Sequence, residues 1–303
     1  ISVTLGQCEN ADLARELVLK YRDPALIQSA WEEVTQSWTR FLTGVQVRTP
    51  EPALDILLNR WLPYQALSCR YWSRTAFYQS GGAYGFRDQL QDCMAFVYAA
   101  PELAKEHILR ASQHQFKEGD VQHWWHPPAG HGIRTRMSDD LLWLPFVVSF
   151  YVQVTGDKSI LNEVTPFIEA PLLKPEQEDS YTLPNVSEET ATVLEHCRRA
   201  IRYALDRIGG NGLPLMGTGD WNDGMNKVGS EGKGESVWLG WFLYKVLADF
   251  IPLCDESEHK EDSKAYHSEM EKLKTALEKF GWDGEWYRRA YFDDGTPLGS
   301  ASN

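Results

Sequence analysis

The residues best suited to chemistry lie in Gly217-Thr218-Gly219-Asp220-Trp221-Asn222-Asp223-Gly224-Met225-Asn226. Two carboxylates, an indole and two amides share one glycine-punctuated turn. Carboxylic acids can protonate the leaving oxygen of a glycosidic bond. A ring face beside carboxylates and amides is also what a carbohydrate site needs. Asp, Asn and Gly are ordinary turn residues too, so the turn by itself leaves a plain surface loop open. Trp221 in its middle argues against that, because an exposed loop has little use for an indole.

Three other polar stretches carry reactive side chains. In 78–88, Tyr-Gln-Ser-Gly-Gly-Ala-Tyr-Gly-Phe-Arg-Asp, the pair Arg87-Asp88 stands at a helix start. Such a pair can fork two sugar hydroxyls, one as donor and one as acceptor, or form a capping Asp beside a surface Arg. In 123–136, His-Trp-Trp-His-Pro-Pro-Ala-Gly-His-Gly-Ile-Arg-Thr-Arg, three histidines raise the question of a metal. Pro127-Pro128 and the irregular spacing match no ligand pattern; the rings with Arg134 and Arg136 suit an anionic or sugar ligand better. Gly229-Ser230-Glu231-Gly232-Lys233-Gly234-Glu235-Ser236 mimics a phosphate loop, yet Lys233 precedes Gly rather than Ser or Thr and no strand leads into it. GxSxG, HExxH and GxGxxG are absent from the sequence. An inverting glycoside hydrolase needs a second carboxylate to activate water, for which Glu235 and Asp140 are candidates. A phosphorylase does not, since phosphate is the nucleophile.

The elements that must hold these loops read as helices. Ile1–Leu5 alternates like the end of a strand, and helices are predicted over 11–21 and 24–42. Thr49-Pro50-Glu51-Pro52 marks the main boundary. Further helices are predicted over 53–60, 63–77, 87–99, 101–115, 138–155, 189–208, 236–251 and 262–280. Ser138-Asp139-Asp140 caps one of them. In 189–208 the residues Leu194, Cys197, Ile201, Leu205 and Ile208 recur at helical spacing, and Gly209-Gly210 ends the run. By contrast 237–251 is apolar on nearly every side and should be buried all round. Amphipathic and all-round apolar helices together imply an inner set wrapped by an outer one. The segments 78–86, 116–137 and 209–235 are left as long loops, which in compact domains are usually functional. The Pro-rich, acidic 165–187 reads as a surface excursion.

Bulk properties narrow the partners. A net charge of −13 over 303 residues disfavours nucleic acid and anionic membranes. Five cysteines at 8, 69, 93, 197 and 254, with no CxxC, suggest neither a disulfide framework nor a zinc site, and a reducing, cytoplasmic setting fits best. No apolar run is read as reaching the roughly 18 residues of a membrane span, so no membrane contact is expected of this segment. Twelve tryptophans exceed what one core normally uses; they suit sugar-stacking surfaces or, equally, a Trp-rich helical core. The chain opens on Ile1, and its last loop, 292–300, has no helix after it; a piece of a longer protein is expected.

Three ordered motifs carry a resemblance. They are Gln79-Ser80-Gly81-Gly82-Ala83-Tyr84-Gly85-Phe86-Arg87-Asp88-Gln89, Ser138-Asp139-Asp140-Leu141-Leu142-Trp143-Leu144-Pro145 and Gly219-Asp220-Trp221-Asn222-Asp223-Gly224. Together they resemble glycoside hydrolase family 94. Its members are the cellobiose and chitobiose phosphorylases, the 1,2-β-oligoglucan phosphorylases and the C-terminal region of cyclic β-1,2-glucan synthases. The wording looks closest to the β-1,2-glucan branch. The resemblance implies an all-α fold: an (α/α)6 barrel, incomplete here, occupying 49–303. Residues 1–48 would be the last strand of a β-sandwich and a helical linker. It implies inverting phosphorolysis of a β-glucoside to α-glucose 1-phosphate, with Asp223 as general acid. Arg87, Asp88 and Trp221 would line the pocket, with Asp220, Asp140 and Arg136 as further substrate contacts. Inorganic phosphate is then a co-substrate, with no other cofactor and no metal. The implied partners are a β-glucan oligosaccharide and phosphate, and a homodimer stays open. One departure matters: the disaccharide phosphorylases carry an Arg six residues before the Asp of the Arg-Asp pair, and here that position is Gly82, which counts against simple cellobiose or chitobiose specificity. A hydrolase or transglycosylase on the same barrel, or a non-catalytic glucan-binding region of a synthase, are the alternatives.

Overall fold

The computed structural model describes residues 3, 5, 6, 8–72, 81–256 and 259–301. The expected strand at Ile1–Leu5, the end of the predicted helix 63–77, and Gln79-Ser80 of the first motif lie wholly or partly outside them. Packing divides the chain into Ile1–Tyr64 and Gln65–Asn303.

The first unit is helical. Asn10 accepts from the Asp12 and Leu13 amides to start α1 (Ala11–Lys20). Asp23 caps α2 (Pro24–Thr43), whose first residue is the proline that tolerates a missing N–H there. Then come α3 (Pro52–Ile56) with a π-helical turn and α4 (Leu62–Gln65), which ends at the division; the π-helical turn Ala66–Tyr71 belongs to the second unit.

The second unit holds α5 (Phe86–Met94), α6 (Pro101–Ser112), α7 (Trp143–Thr155), α8 (Val193–Leu205), α9 (Val237–Asp255) and α10 (Lys260–Ala276). The inner faces come from α5, α7 and α9, where Phe86, Leu90, Leu144, Val147, Leu243 and Phe250 are buried. Trp143 on α7 meets Phe242 on α9 at a centroid distance of 4.7 Å. The amphipathic α8 buries one stripe, from Val193 and Leu194 through Cys197 and Ile201 to Ala204.

Helices are not the whole architecture. One four-stranded sheet has the order β1 (Tyr84–Gly85), β2 (Gln122–His126), β3 (His131–Thr135), then β5 (Asp179–Thr182); β4 (Val164–Glu169) pairs with β6 (Asn185–Thr192). A third sheet joins β7 (Glu235–Ser236), β8 (Ala290–Tyr291) and β9 (Pro297–Leu298). The fold is therefore mostly helical with small antiparallel sheets, not all-α. The predicted loop 116–137 is a hairpin, because Trp125 turns into the core while its neighbour Trp124 turns out. The predicted helix from 189 starts four residues later. Residues 185–192 are drawn into a strand against β4, and the Thr192 hydroxyl takes the Glu195 amide as the helix cap. The apolar α9 runs to Asp255 and by length and composition could cross a membrane, which corrects the expectation that no run is long enough; most of it is buried within this fold.

Candidate active site

Each end of the 217–226 turn is tied to a different part of the second unit. At its start, Gly217 adopts φ +63° with the Arg136 carbonyl where a Cβ would stand, 2.0 Å away. Glycine alone fits both demands. Ser138 then donates its amide and its hydroxyl to the Gly219 carbonyl, at 2.9 and 3.0 Å. The two motifs that begin near residues 138 and 217 are thus stitched together through the backbone.

Asp220 is sealed. Its carboxylate accepts from Arg289 at 2.5 Å, from the Ser236 hydroxyl at 2.6 Å and from the Asn222 amide at 3.0 Å. Ser236 also caps α9 through the Leu239 amide, so one buried carboxylate joins the turn, the start of α9 and the edge of β8.

Asp223 is open. Its side chain is 58% exposed and it begins a short 3-10 turn that Asn222 caps by accepting the Gly224 amide. Asp223 Oδ1 accepts from Arg87, which is itself buried. Arg87 reaches it from the first turn of α5. Gly85 sits at the strand-to-helix corner there, where a Cβ would meet the end of the Asp88 side chain, 2.0 Å from Oδ2. Asp88 is half-buried and folds back over that corner. Arg87 Nη1 also donates to Asp139 Oδ1 at 2.9 Å and to the Asp220 carbonyl at 3.0 Å, and lies 3.5 Å from Asp140 Oδ1.

Asp139 and Asp140 complete the site, both buried at the approach to α7. Asp139 Oδ2 accepts from Trp143 Nε1 at 3.0 Å. Burial first, and then the neighbouring Asp140, hold the Asp139 carboxyl well above the usual carboxylate range. Asp140 Oδ2 meets His123 Nδ1 at 2.6 Å. Burial disfavours charge on that imidazole, but the Asp140 carboxylate outweighs it and raises His123 to about 9. The Trp221 indole, 52% exposed, lies along α5 with Nε1 directed at Gln91 Oε1, 3.3 Å away. The site is a buried Arg87 ringed by Asp139, Asp140 and Asp223, with one acid and one ring face open to solvent.

Of the sequence candidates, Asp140, Arg87, Asp220, Trp221 and Asp223 come together. Arg136 goes elsewhere: its guanidinium donates to the Lys174 and Pro175 carbonyls, while its own carbonyl receives the Thr218 amide. Behind the turn a cavity of about 200 Å³ is lined by Met137, Leu141, Leu142, Ala204, Leu215 and Leu239. The three histidines diverge. His123 enters the site, His126 packs edge-on to Trp124, and His131 stacks on Tyr181. Glu235 is buried with both oxygens on Asn211, and burial raises its carboxyl despite those donors. The glycine-rich 229–236 loop is a nest already filled. The Glu231, Lys233 and Gly234 amides converge on the Asp293 carboxylate at 2.8–2.9 Å.

Sequence reasoning did not anticipate His123 as a partner of Asp140, nor Arg289. His123 had a signal, since it precedes the alternating Trp124 and Trp125. Arg289 had none, being 69 residues from the carboxylate it neutralises.

Comparison with known proteins accords with this picture. The family model described as "Glycosyl hydrolase 94 superfamily, catalytic domain" matches residues 37–303. A cyclic beta-(1,2)-glucan synthase, NdvB, of Rhizobium meliloti (strain 1021) is 48% identical over 303 residues, 100% of this chain and 11% of that protein. Solabiose phosphorylase of Paenibacillus borealis is 32% identical over 296 residues, 97% of this chain and 35% of that protein. A 1,2-beta-oligoglucan phosphorylase of Listeria innocua serovar 6a is 28% identical over 245 residues, 77% of this chain and 21% of that protein. The chain spans from about a tenth to about a third of the length of these curated relatives.

Proposed function

The chain belongs to the glycosyl hydrolase 94 superfamily, and from that premise we propose that it carries the proton donor and sugar-facing wall of an inverting β-glucan phosphorylase site. Asp223 protonates the leaving glycosidic oxygen as the C1–O bond breaks. Phosphate attacks C1 from the opposite face, and the new C1–O–P bond gives α-glucose 1-phosphate. Phosphate is a co-substrate and no other cofactor is required. The Trp221 ring and the Arg87-Asp88 corner bound the glucosyl unit, on a helical scaffold we take to be part of an (α/α)6 barrel. Likeness along the whole chain to a protein named for β-1,2-glucan favours that linkage.

One observation carries the assignment to Asp223. Of the carboxylates paired with Arg87 among the described residues, it alone reaches solvent; Asp139 and Asp140 are buried, as is Asp220 in the same turn. An acid that protonates a bulky glycan must stand where the glycan can reach it. The hydrolase alternative gains no support from the geometry, because Glu235 is committed to Asn211 and Asp140 to His123.

The test is Asp223→Asn in the full-length protein, with α-glucose 1-phosphate release from β-1,2-glucan and glucan binding measured side by side. Release should fall by roughly 10²–10⁴-fold with binding kept. Unchanged release would overturn the assignment, and glucose made without phosphate would favour the hydrolase.

A further inference from the structure

An acid must carry a proton to donate one, and the Arg87 guanidinium occupies Asp223 Oδ1. Nothing about the pair itself resolves that conflict; the atoms behind it do. Asp140 Oδ1 is buried and accepts no hydrogen bond among the described residues. Buried carboxylate oxygens rarely stand so. It lies 3.5 Å from Arg87 Nη1, and a pivot of roughly 0.6 Å would bring the two to ordinary hydrogen-bond length. The other oxygen of Asp140 is held by His123 at 2.6 Å, which keeps Oδ1 turned toward Arg87.

We propose that Asp140 is a positioning residue that receives Arg87 when the guanidinium lets go of Asp223, so that Asp223 can take up the proton it donates. His123 sets how readily Asp140 does this, because imidazolium and guanidinium compete for one carboxylate. In the resting arrangement Arg87 spans Asp139 and Asp223; in the proton-loaded arrangement it spans Asp139 and Asp140. Asp139 serves as the fixed end of the swing, its oxygens accepting from Arg87 and Trp143 in the resting form. The charged groups facing the cluster are Arg87 from α5, His123 from β2, Asp139 and Asp140 before α7, and Asp223 from the turn. Asp220 and Arg289 beside them form a separate neutral pair, 2.5 Å apart.

This inference rests on the phosphorolytic reading, and the pH profile separates the two. The full-length protein, Asp140→Asn and His123→Gln are compared by kcat and KM for β-1,2-glucan and phosphate across the pH range. Asp140→Asn keeps the volume and removes the charge that draws Arg87 away. Its alkaline limb should move about one pH unit lower, a roughly tenfold loss on the alkaline side recovered at acid pH, and in kcat rather than KM. His123→Gln removes the competitor and should move the limb the other way. An equal loss at every pH in Asp140→Asn, or shifts of one sign in both variants, would overturn the inference. If Asp140→Asn fails to fold by circular dichroism, His123→Gln decides alone, and an unmoved or lowered limb overturns it. Failure of the unmodified protein to make glucose 1-phosphate sinks the phosphorolytic reading, and this inference with it.

Discussion

Asp220 and Asp223 stand three residues apart in one turn and live in opposite surroundings. Asp220 is fully buried, with Arg289, Ser236 and a backbone amide on its two oxygens. Asp223 has a single guanidinium on one oxygen and most of its surface in water. The difference teaches how a flexible stretch of glycines becomes a rigid presenter of one acid. The sealed carboxylate fixes the backbone by tying three elements together, and the open one is left for chemistry. Glycine supplies the shape, but the ion pair on the buried carboxylate supplies the rigidity, since that charge unpaired would be costly.

That division is broken most severely at its open end. Asp223→Asn should cost about three orders of magnitude in glucose 1-phosphate release with the unfolding transition unmoved, as measured by steady-state rates and denaturant titration. The sealed end should behave in reverse. Asp220→Ala strands Arg289 and Ser236, and should destabilise the chain by about 3 kcal/mol, read as a lower urea midpoint. Activity would fall with it only as far as the turn loosens. If Asp220→Ala left stability intact, the turn would owe its rigidity to something else.

A subtler effect lies behind the open end. His123 is raised to about 9 by Asp140, from an unfolded value near 6.5. A raised folded value means stabilisation that is complete below pH 6.5 and is lost as pH rises through 9. Unfolding free energy should decline over that window by on the order of 2–3 kcal/mol, and His123→Asn should flatten the decline. The smallest effect belongs to Trp221. Its ring contributes apolar contact without sealing anything, so Trp221→Ala should raise KM for glucan several-fold, about 1 kcal/mol, with kcat and stability little changed. A collapse in stability there would make Trp221 part of the core instead of a wall of the site.

Much of this was readable in the chain, and what was not has a physical reason. The motifs at 79–89, 138–145 and 219–224 are local runs of sequence, but the cap expected of Ser138-Asp139-Asp140 is not made: among the described residues no side chain caps the turn at Asp140 or α7, and the Ser138 hydroxyl is drawn instead to the Gly219 carbonyl. The apolar periodicity of 194–208 and the all-round apolarity of 237–251 announced an amphipathic helix and a mostly buried one, as α8 and α9 show. The sheets were hidden because their strands are short and held by distant partners. Residues 185–192 form β6 only because β4 lies alongside, and 122–126 form β2 only with β1 and β3 on either side. The same distance hid Arg289, and the charge balance around Arg87 exists only once four segments meet. The phosphate-like glycine loop shows the converse: its amides do gather an anion, but the anion is Asp293 of the chain itself.

The pair between Asp220 and Arg289 also bears on topology. Helix α9 passes for a transmembrane span by length and apolarity, and a map drawn from hydropathy would put its two flanks on opposite sides of a bilayer. Asp220 precedes α9 and Arg289 follows it, and the two are 2.5 Å apart. In this fold both flanks share one compartment, and reporter tags placed on either side of α9 should answer to the same face of any membrane the protein meets.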